Sequence, residues 1–196
     1  MVGPCEWDTE SDMPAWLAEL EQPIVLVTTS SEFQNDARLV QVTLEALADE
    51  RVSVVATPPA DGHPLRFHAP GNARVEGFVP HGRVLERAVC AVTHGGMGAT
   101  QKALTHGVPV CPVPFGRDQL EVARRVEVAG AGTRLPANRL RPDRLRHKIR
   151  EAMTKRDGAK RIAEAFATAG GARAAADAFG VRLLGATRGQ GQAVSA

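Results

Sequence analysis

Short β-branched runs alternating with segments of helical spacing constrain this chain more than any other feature. "PIVLVTTSS", from Pro23 to Ser31, is a continuous apolar run ending in hydroxyls, with the length of a strand buried on both faces. Asp36 then opens a helical pattern in which Leu39, Val40, Leu44 and Leu47 share one face. The alternation continues with "RVSVVATP" as a strand, the loop "PPADGHPLRFHAPGN", "ARVEGFVP" as a strand, "GRVLERA" as a short helix and "VCAVT" as a strand. A helix to about His106 follows, then "VPVCPVP" as a strand, "DQLEVARRVEVAG" as a helix, a short strand near "GTRLP" and a helix opened by Pro142 and Asp143. Such an order requires right-handed crossovers and a parallel sheet covered on both faces, so the expected fold class is α/β, a Rossmann-like doubly wound domain. The segment from Asp157 to Leu184 reads as helix interrupted at "GGA", and the expected organisation is a linker-like lead-in over 1–22, one domain over 23–184 and a disordered tail over 185–196.

Composition narrows the function classes. No uninterrupted apolar run reaches the roughly 18 residues of a membrane span, and the acidic first twenty residues lack the profile of a secretory signal. The expectation is a soluble, cytoplasmic protein with no membrane partner. Cys5, Cys90 and Cys111 share no metal-binding spacing, and no metal is expected. Net charge is only +2, yet eleven acids stand against Arg38 and Arg51 in residues 1–60, while "RLRPDRLRHKIREAMTKRDGAKR" is strongly basic. Aromatic residues do not interleave that basic segment, so it is expected to be a solvated helix face, with no nucleic acid as partner.

The junction "VTHGGMGATQ" carries the chemistry. It delivers His94 to the carboxyl edge of the sheet, where open α/β folds bind their ligands. Gly95 and Gly96 permit a tight turn and close backbone approach, and Gly98 keeps the first helical turn free of a side chain. Exposed N–H groups can then face an anion such as phosphate. Asp118 and Gln119, in "FGRDQ", follow the next strand and reach the same edge.

H-G-G-x-G, then G-V-P, then P-x-x-x-D-Q closely resembles the donor-binding signature of family-one glycosyltransferases of the GT-B fold, in their bacterial antibiotic and macrolide branch. The resemblance implies that the chain is the C-terminal, nucleotide-sugar-binding half of such an enzyme. It also implies that the diphosphate is bound by His94, Gly96, Met97, Gly98 and Ala99, and the donor sugar by Asp118 and Gln119. "GFVPHGRVL" resembles the family's G-W-x-P-Q-x-x-x-L, so Phe78 and Val79 are expected at the base. Ser30 and Ser31 are expected to face the phosphates or the cleft between domains. The implied parent reaction is inverting transfer of a sugar from UDP or TDP to an acceptor hydroxyl of a small natural product, with the NDP-sugar as substrate and no cofactor.

Two positions depart from the family pattern. Lys102 stands eight residues after His94, where a glutamate commonly binds ribose hydroxyls, and a lysine cannot accept a hydrogen bond. It is expected to approach phosphate or to face solvent. Ala99 replaces a common serine or threonine, and Thr100 could compensate only where helix geometry allows. The N-terminal acceptor-binding domain, with its catalytic histidine, has no counterpart, so the chain alone is expected to be inactive. It would be a truncated enzyme, an incomplete gene product or a subunit of a two-chain enzyme. Apolar surface facing that missing domain would favour self-association. Alternatives are a nucleotide-binding or interaction domain with a degenerate site, and a related GT-B enzyme such as a sugar-nucleotide epimerase.

Overall fold

A computed structural model describes residues 2–8, 12–30, 36–59 and 67–183. Ser31 and the tail beyond residue 183, both subjects of sequence expectations, lie outside the described residues. Among the described residues five parallel strands form one sheet: β1 (Ile24–Thr28), β2 (Ser53–Thr57), β3 (Ala73–Val75), β4 (Ala88–Thr93) and β5 (Val110–Pro112), in the spatial order β3-β2-β1-β4-β5. The helices are α1 (Ala15–Ala18), α2 (Ala37–Leu47), α3 (His81–Leu85), α4 (Met97–Thr105), α5 (Gln119–Val128), α6 (Pro142–Met153), α7 (Arg156–Ala169) and α8 (Gly171–Leu183).

β1 explains the two-layered core. All five of its residues are buried, and successive side chains point to opposite faces. Val25 and Val27 pack with Leu39, Leu44 and Leu47 of α2 and with Leu145 and Ile149 of α6. Ile24 and Leu26 pack on the other side with Leu17, Val84, Leu104 and Val126. An apolar run with no polar alternation is what a strand covered on both faces requires.

The helix boundaries follow local chemistry. Pro142 occupies the first turn of α6 with Asp143 beside it, a proline where no N–H is needed and an acid near the positive helix end. Gly170, at φ 85°, closes α7 in the left-handed conformation, and α8 starts directly after it, which is the break expected at "GGA".

Two strand expectations are corrected. "GTRLP" is not a strand. The Thr133 N–H donates to Val110 O at 3.0 Å and the Leu135 N–H to Pro112 O at 3.1 Å, but Pro112 of β5 has no N–H to return to Thr133 O, so Gly132 bridges Val110 and the ladder goes no further. "ARVEGFVP" contributes only Ala73–Val75, and Phe78 lies outside the sheet.

Chain order reverses between β1 and β4, the point where an open α/β sheet leaves a crevice beyond its carboxyl ends. Thr29 and Ser30 leave β1 and His94 leaves β4 at that crevice, and all three line the same cavity.

Candidate functional site

A cavity of about 590 Å³ lies over the first turn of α4, lined by Thr29, Ser30, His81, His94 and the α4 residues Gly98, Ala99 and Lys102 among others. A second, of about 340 Å³, shares Ser30, His81 and Lys102 with it and extends to Phe78 and Val79. Together they form one continuous lined region, from the N-terminus of α4 to the end of β3.

His94 is built into the floor. It follows Thr93 of β4, whose Oγ1 accepts the Gly95 N–H at 3.0 Å, and Gly95 takes φ 87°, which a side chain would strain. The His94 side chain is 10% exposed. Its Nε2 lies directly over Gly96, so close that a Cβ there would overlap it. Gly96 is the N-cap of α4, in an extended conformation and without a side-chain cap. An imidazole nitrogen and the unpaired N–H groups of the first helical turn therefore converge on one place. Burial holds the His94 pKa below its ordinary value, against the opposing pull of Asp36 and Asp118.

Asp36 is one of the site residues that sequence reasoning missed, with His81 and Asp8. It occupies the N-cap position of α2, as expected, but makes no side-chain cap bond. Instead its Oδ2 accepts the Ser30 N–H at 2.7 Å and lies 4.0 Å from His94 Nδ1. An aspartate before a helix looks the same in sequence whether it caps its own helix or turns toward the neighbouring strand end.

The other expected residues are unevenly placed. Ser30 is buried and lines both cavities. Gly98 and Ala99 line the larger one, and nothing would meet a Cβ on Gly98. Met97 is 42% exposed at the start of α4. Thr100 is buried, and its Oγ1 has no hydrogen-bond partner among the described residues. Phe78 is 68% exposed at the rim of the smaller cavity, so it is not a core residue, whereas Val79 packs into the core beneath. Asp118 is exposed at the N-cap of α5, without a side-chain cap bond. Gln119 is buried, and its Oε1 accepts the N–H groups of Phe115 at 2.8 Å and Gly116 at 3.1 Å, so this carbonyl shapes the loop before α5.

Lys102 does not simply face solvent. Its Nζ donates to Trp7 O at 3.0 Å and pairs with Asp8 Oδ1 at 3.3 Å, while Asp8 Oδ2 accepts the Gly82 N–H at 2.8 Å. Pro4, Cys5, Glu6 and Trp7 thereby form one wall of the larger cavity. Glu6 also lies 3.8 Å from His106 at the end of α4, and the Gly171 N–H donates to Val2 O at 2.6 Å.

His81 joins the two cavities, with Nε2 3.0 Å from Thr57 Oγ1. Burial first, then the Lys102 cation, lower its pKa to about 4, against the attraction of Asp8. The unfolded chain therefore binds more protons than the folded one between pH 6.5 and about 4, and stability present above pH 6.5 is lost as pH falls through that window. The effect is at most about 3 kcal/mol. Urea midpoints measured at pH 7 and pH 4.5 are expected to fall less for His81→Gln, which keeps a hydrogen-bonding group without the titration. Equal losses for the two proteins would contradict this origin of the acid sensitivity.

Among the described residues no helix is long and apolar enough to cross a membrane. Cys90 and Cys111 are buried, and burial raises both thiols, Cys111 to about 11, so they pack as inert small hydrophobes.

Comparison with known proteins agrees with this architecture. Residues 41–176 match the family model described as erythromycin biosynthesis protein CIII-like, C-terminal domain. The chain is 39% identical over 143 residues to 4'-demethylrebeccamycin synthase of Lentzea aerocolonigenes, covering 71% of this chain and 33% of that protein. It is 34% identical over 170 residues to a PGL/p-HBAD biosynthesis glycosyltransferase of Mycobacterium tuberculosis, covering 84% of this chain and 39% of the relative. Among solved structures, the glycosyltransferase of kitacinnamycin superposes with a TM-score of 0.79 at 27% identity, over 92% of this chain and 48% of that one. Glycosyltransferase VinC, in complex with DTDP, gives 0.73 at 27% identity, over 86% and 43%. The chain thus spans a third to two fifths of the length of these curated relatives. With the parallel sheet, the switch-point cavity and the H-G-G-x-G turn in place, the chain belongs to the erythromycin biosynthesis protein CIII-like C-terminal domain family, the C-terminal domain of GT-B glycosyltransferases.

Proposed function

We propose that this chain binds the nucleoside diphosphate of an NDP-sugar and serves a glycosyltransferase that moves the sugar, with inversion, to the hydroxyl of a small natural product. The observation that carries the reading is the convergence of the His94 ring and the α4 N-terminus on one cavity at the switch point. A diphosphate seated there meets the positive helix end, worth about 0.3–1 kcal/mol when exposed, and charge-assisted hydrogen bonds of about 1.5–3 kcal/mol each. These contacts strengthen as the sugar–oxygen bond breaks and negative charge gathers on the leaving diphosphate, so they favour the transition state over bound donor.

In this reading the base stacks at the exposed Phe78 and the ribose lies near His81 and Asp8. The sugar extends toward Asp118. Gln119 acts through the loop it holds, since its carbonyl is already engaged. The acceptor and the base that takes its proton belong to a second domain across the cavity mouth, and in-line attack requires both halves. The VinC complex with DTDP supports a thymidine nucleotide as one donor type.

The test is calorimetric titration of the purified chain with UDP, TDP and GDP. One nucleotide is expected to bind, and His94→Ala is expected to weaken it at least about tenfold. A folded chain that binds none of the three would overturn the reading.

A further inference from the structure

We infer that Asp36 is a positioning residue for His94: it holds the ring proton on Nδ1, so that His94 takes up a second proton, on Nε2, whenever a diphosphate enters the cavity. The inference rests on the donor-binding reading above for its ligand. Its geometry stands apart from that reading.

Asp36 is 1% exposed and His94 8% exposed. Asp36 Oδ2 accepts the Ser30 N–H, while Asp36 Oδ1 and His94 Nδ1 have no hydrogen-bond partner among the described residues. The 4.0 Å separation of Nδ1 and Oδ2 is too long for a hydrogen bond but sets a buried carboxylate beside Nδ1. A buried carboxylate there favours a ring N–H toward it. The proton of a neutral imidazole then resides on Nδ1, and Nε2 presents a lone pair over Gly96.

That lone pair faces the place where the anion would sit. A lone pair repels a phosphate oxygen, whereas an N–H donates to it. Binding therefore draws one proton from solvent onto Nε2, and the imidazolium lies between the Asp36 carboxylate and the phosphate. When the diphosphate leaves, the proton returns to solvent, and no bond other than N–H changes. Among the described residues, the other charged or titratable groups facing this place are Asp118 at the start of α5, Cys5 and Glu6 of the N-terminal segment, Lys102 of α4 and His81 of α3. Burial keeps the unliganded ring neutral near pH 8, which leaves room for the uptake.

The experiment is calorimetry of the whole chain with UDP and TDP at pH 8, in HEPES and in Tris, with uridine and thymidine as phosphate-free probes. The β-phosphate is already deprotonated there, so proton uptake belongs to the protein. Wild type is expected to take up close to one proton per diphosphate and none per nucleoside, and to lose affinity by about tenfold per pH unit above pH 8. Asp36→Asn is expected to lose the uptake and at least about tenfold in affinity. His94→Gln, which keeps an N–H donor but does not titrate, is expected to bind without uptake, and serves if Asp36→Asn does not fold.

Binding by wild type without uptake, or unchanged uptake and affinity in Asp36→Asn, overturns the inference and leaves the donor-binding reading intact. If no nucleotide binds, that reading fails instead, and the ¹⁵N spectrum of the His94 ring decides the role of Asp36. An Nδ1–H ring in wild type supports it, and an Nε2–H ring overturns it.

Discussion

Gly96→Ala is expected to leave the chain folded and to lower its affinity for the bound nucleoside diphosphate by tenfold to more than a hundredfold. The backbone at Gly96, φ −64° and ψ 143°, suits any residue, so the substitution introduces no strain of its own. A methyl group there overlaps His94 Nε2, with Cε1 only 2.7 Å away. The ring end must move, and it is the far end of a side chain with space in the cavity beside it. Fold stability is therefore expected to change by no more than about 1 kcal/mol, because no backbone contact is broken. Binding loses the charge-assisted hydrogen bond of His94, about 1.5–3 kcal/mol, and the new methyl covers part of the helix N-terminus. Thermal unfolding and calorimetry on the same samples check the two halves of this result. Affinity equal to wild type would mean that the ligand does not sit at the α4 N-terminus.

Gly96 also marks how far the sequence could be read. The alternation of apolar runs with helical segments was legible because parallel strands buried on both faces carry no polar alternation, as β1 shows. The H-G-G-x-G turn was legible because its constraints are local: Gly95 needs a positive φ and Gly96 needs to lack a side chain, and both act within two residues of His94. Contacts between distant segments left no such mark. Asp36 meets His94 across 58 positions of chain, and a hydrogen bond from Ser30 decides its direction. Lys102 reads as a lost ribose ligand, yet it is tied to Trp7 and Asp8, whose position depends on where the N-terminal segment crosses α4. Gln119 reads as a sugar ligand, yet its carbonyl satisfies two loop N–H groups because the turn before α5 would otherwise leave them unpaired. "GTRLP" failed as a strand because its partner β5 carries Pro112, which has no N–H to return to Thr133 O, and the segment's own residues give no sign of that.

Helix propensity and packing give opposite answers at two other glycines. Gly158→Ala and Gly180→Ala both replace a glycine inside a helix, α7 and α8 respectively, where alanine is intrinsically favoured by about 1 kcal/mol. At Gly180 nothing lies within 4 Å of the added Cβ, so the change is expected to stabilise by up to that amount. At Gly158 the Cβ would run into the carbonyl of Gly130 and come within 3.1 Å of Ala131 N, both backbone atoms. That peptide cannot rotate away. Gly130 closes α5 at φ 64°, and the next residue is held by hydrogen bonds from the Ala131 N–H to Val126 O and from the Val110 N–H to Ala131 O. To admit the methyl, α7 must lift from the Gly130 peptide and from α4, which uncovers Ala159 and part of the core face formed by Leu104, Val110 and Val126. Overpacking of this kind typically costs about 1–3 kcal/mol, and more where the obstacle is backbone. Gly158→Ala is therefore expected to lose at least about 3 kcal/mol or to fail to fold, against the gain at Gly180. Urea denaturation of the two variants beside wild type is the check. Equal midpoints would mean that α7 does not rest on the Gly130 peptide, and the close packing of α7 against the end of α5 would have to be abandoned.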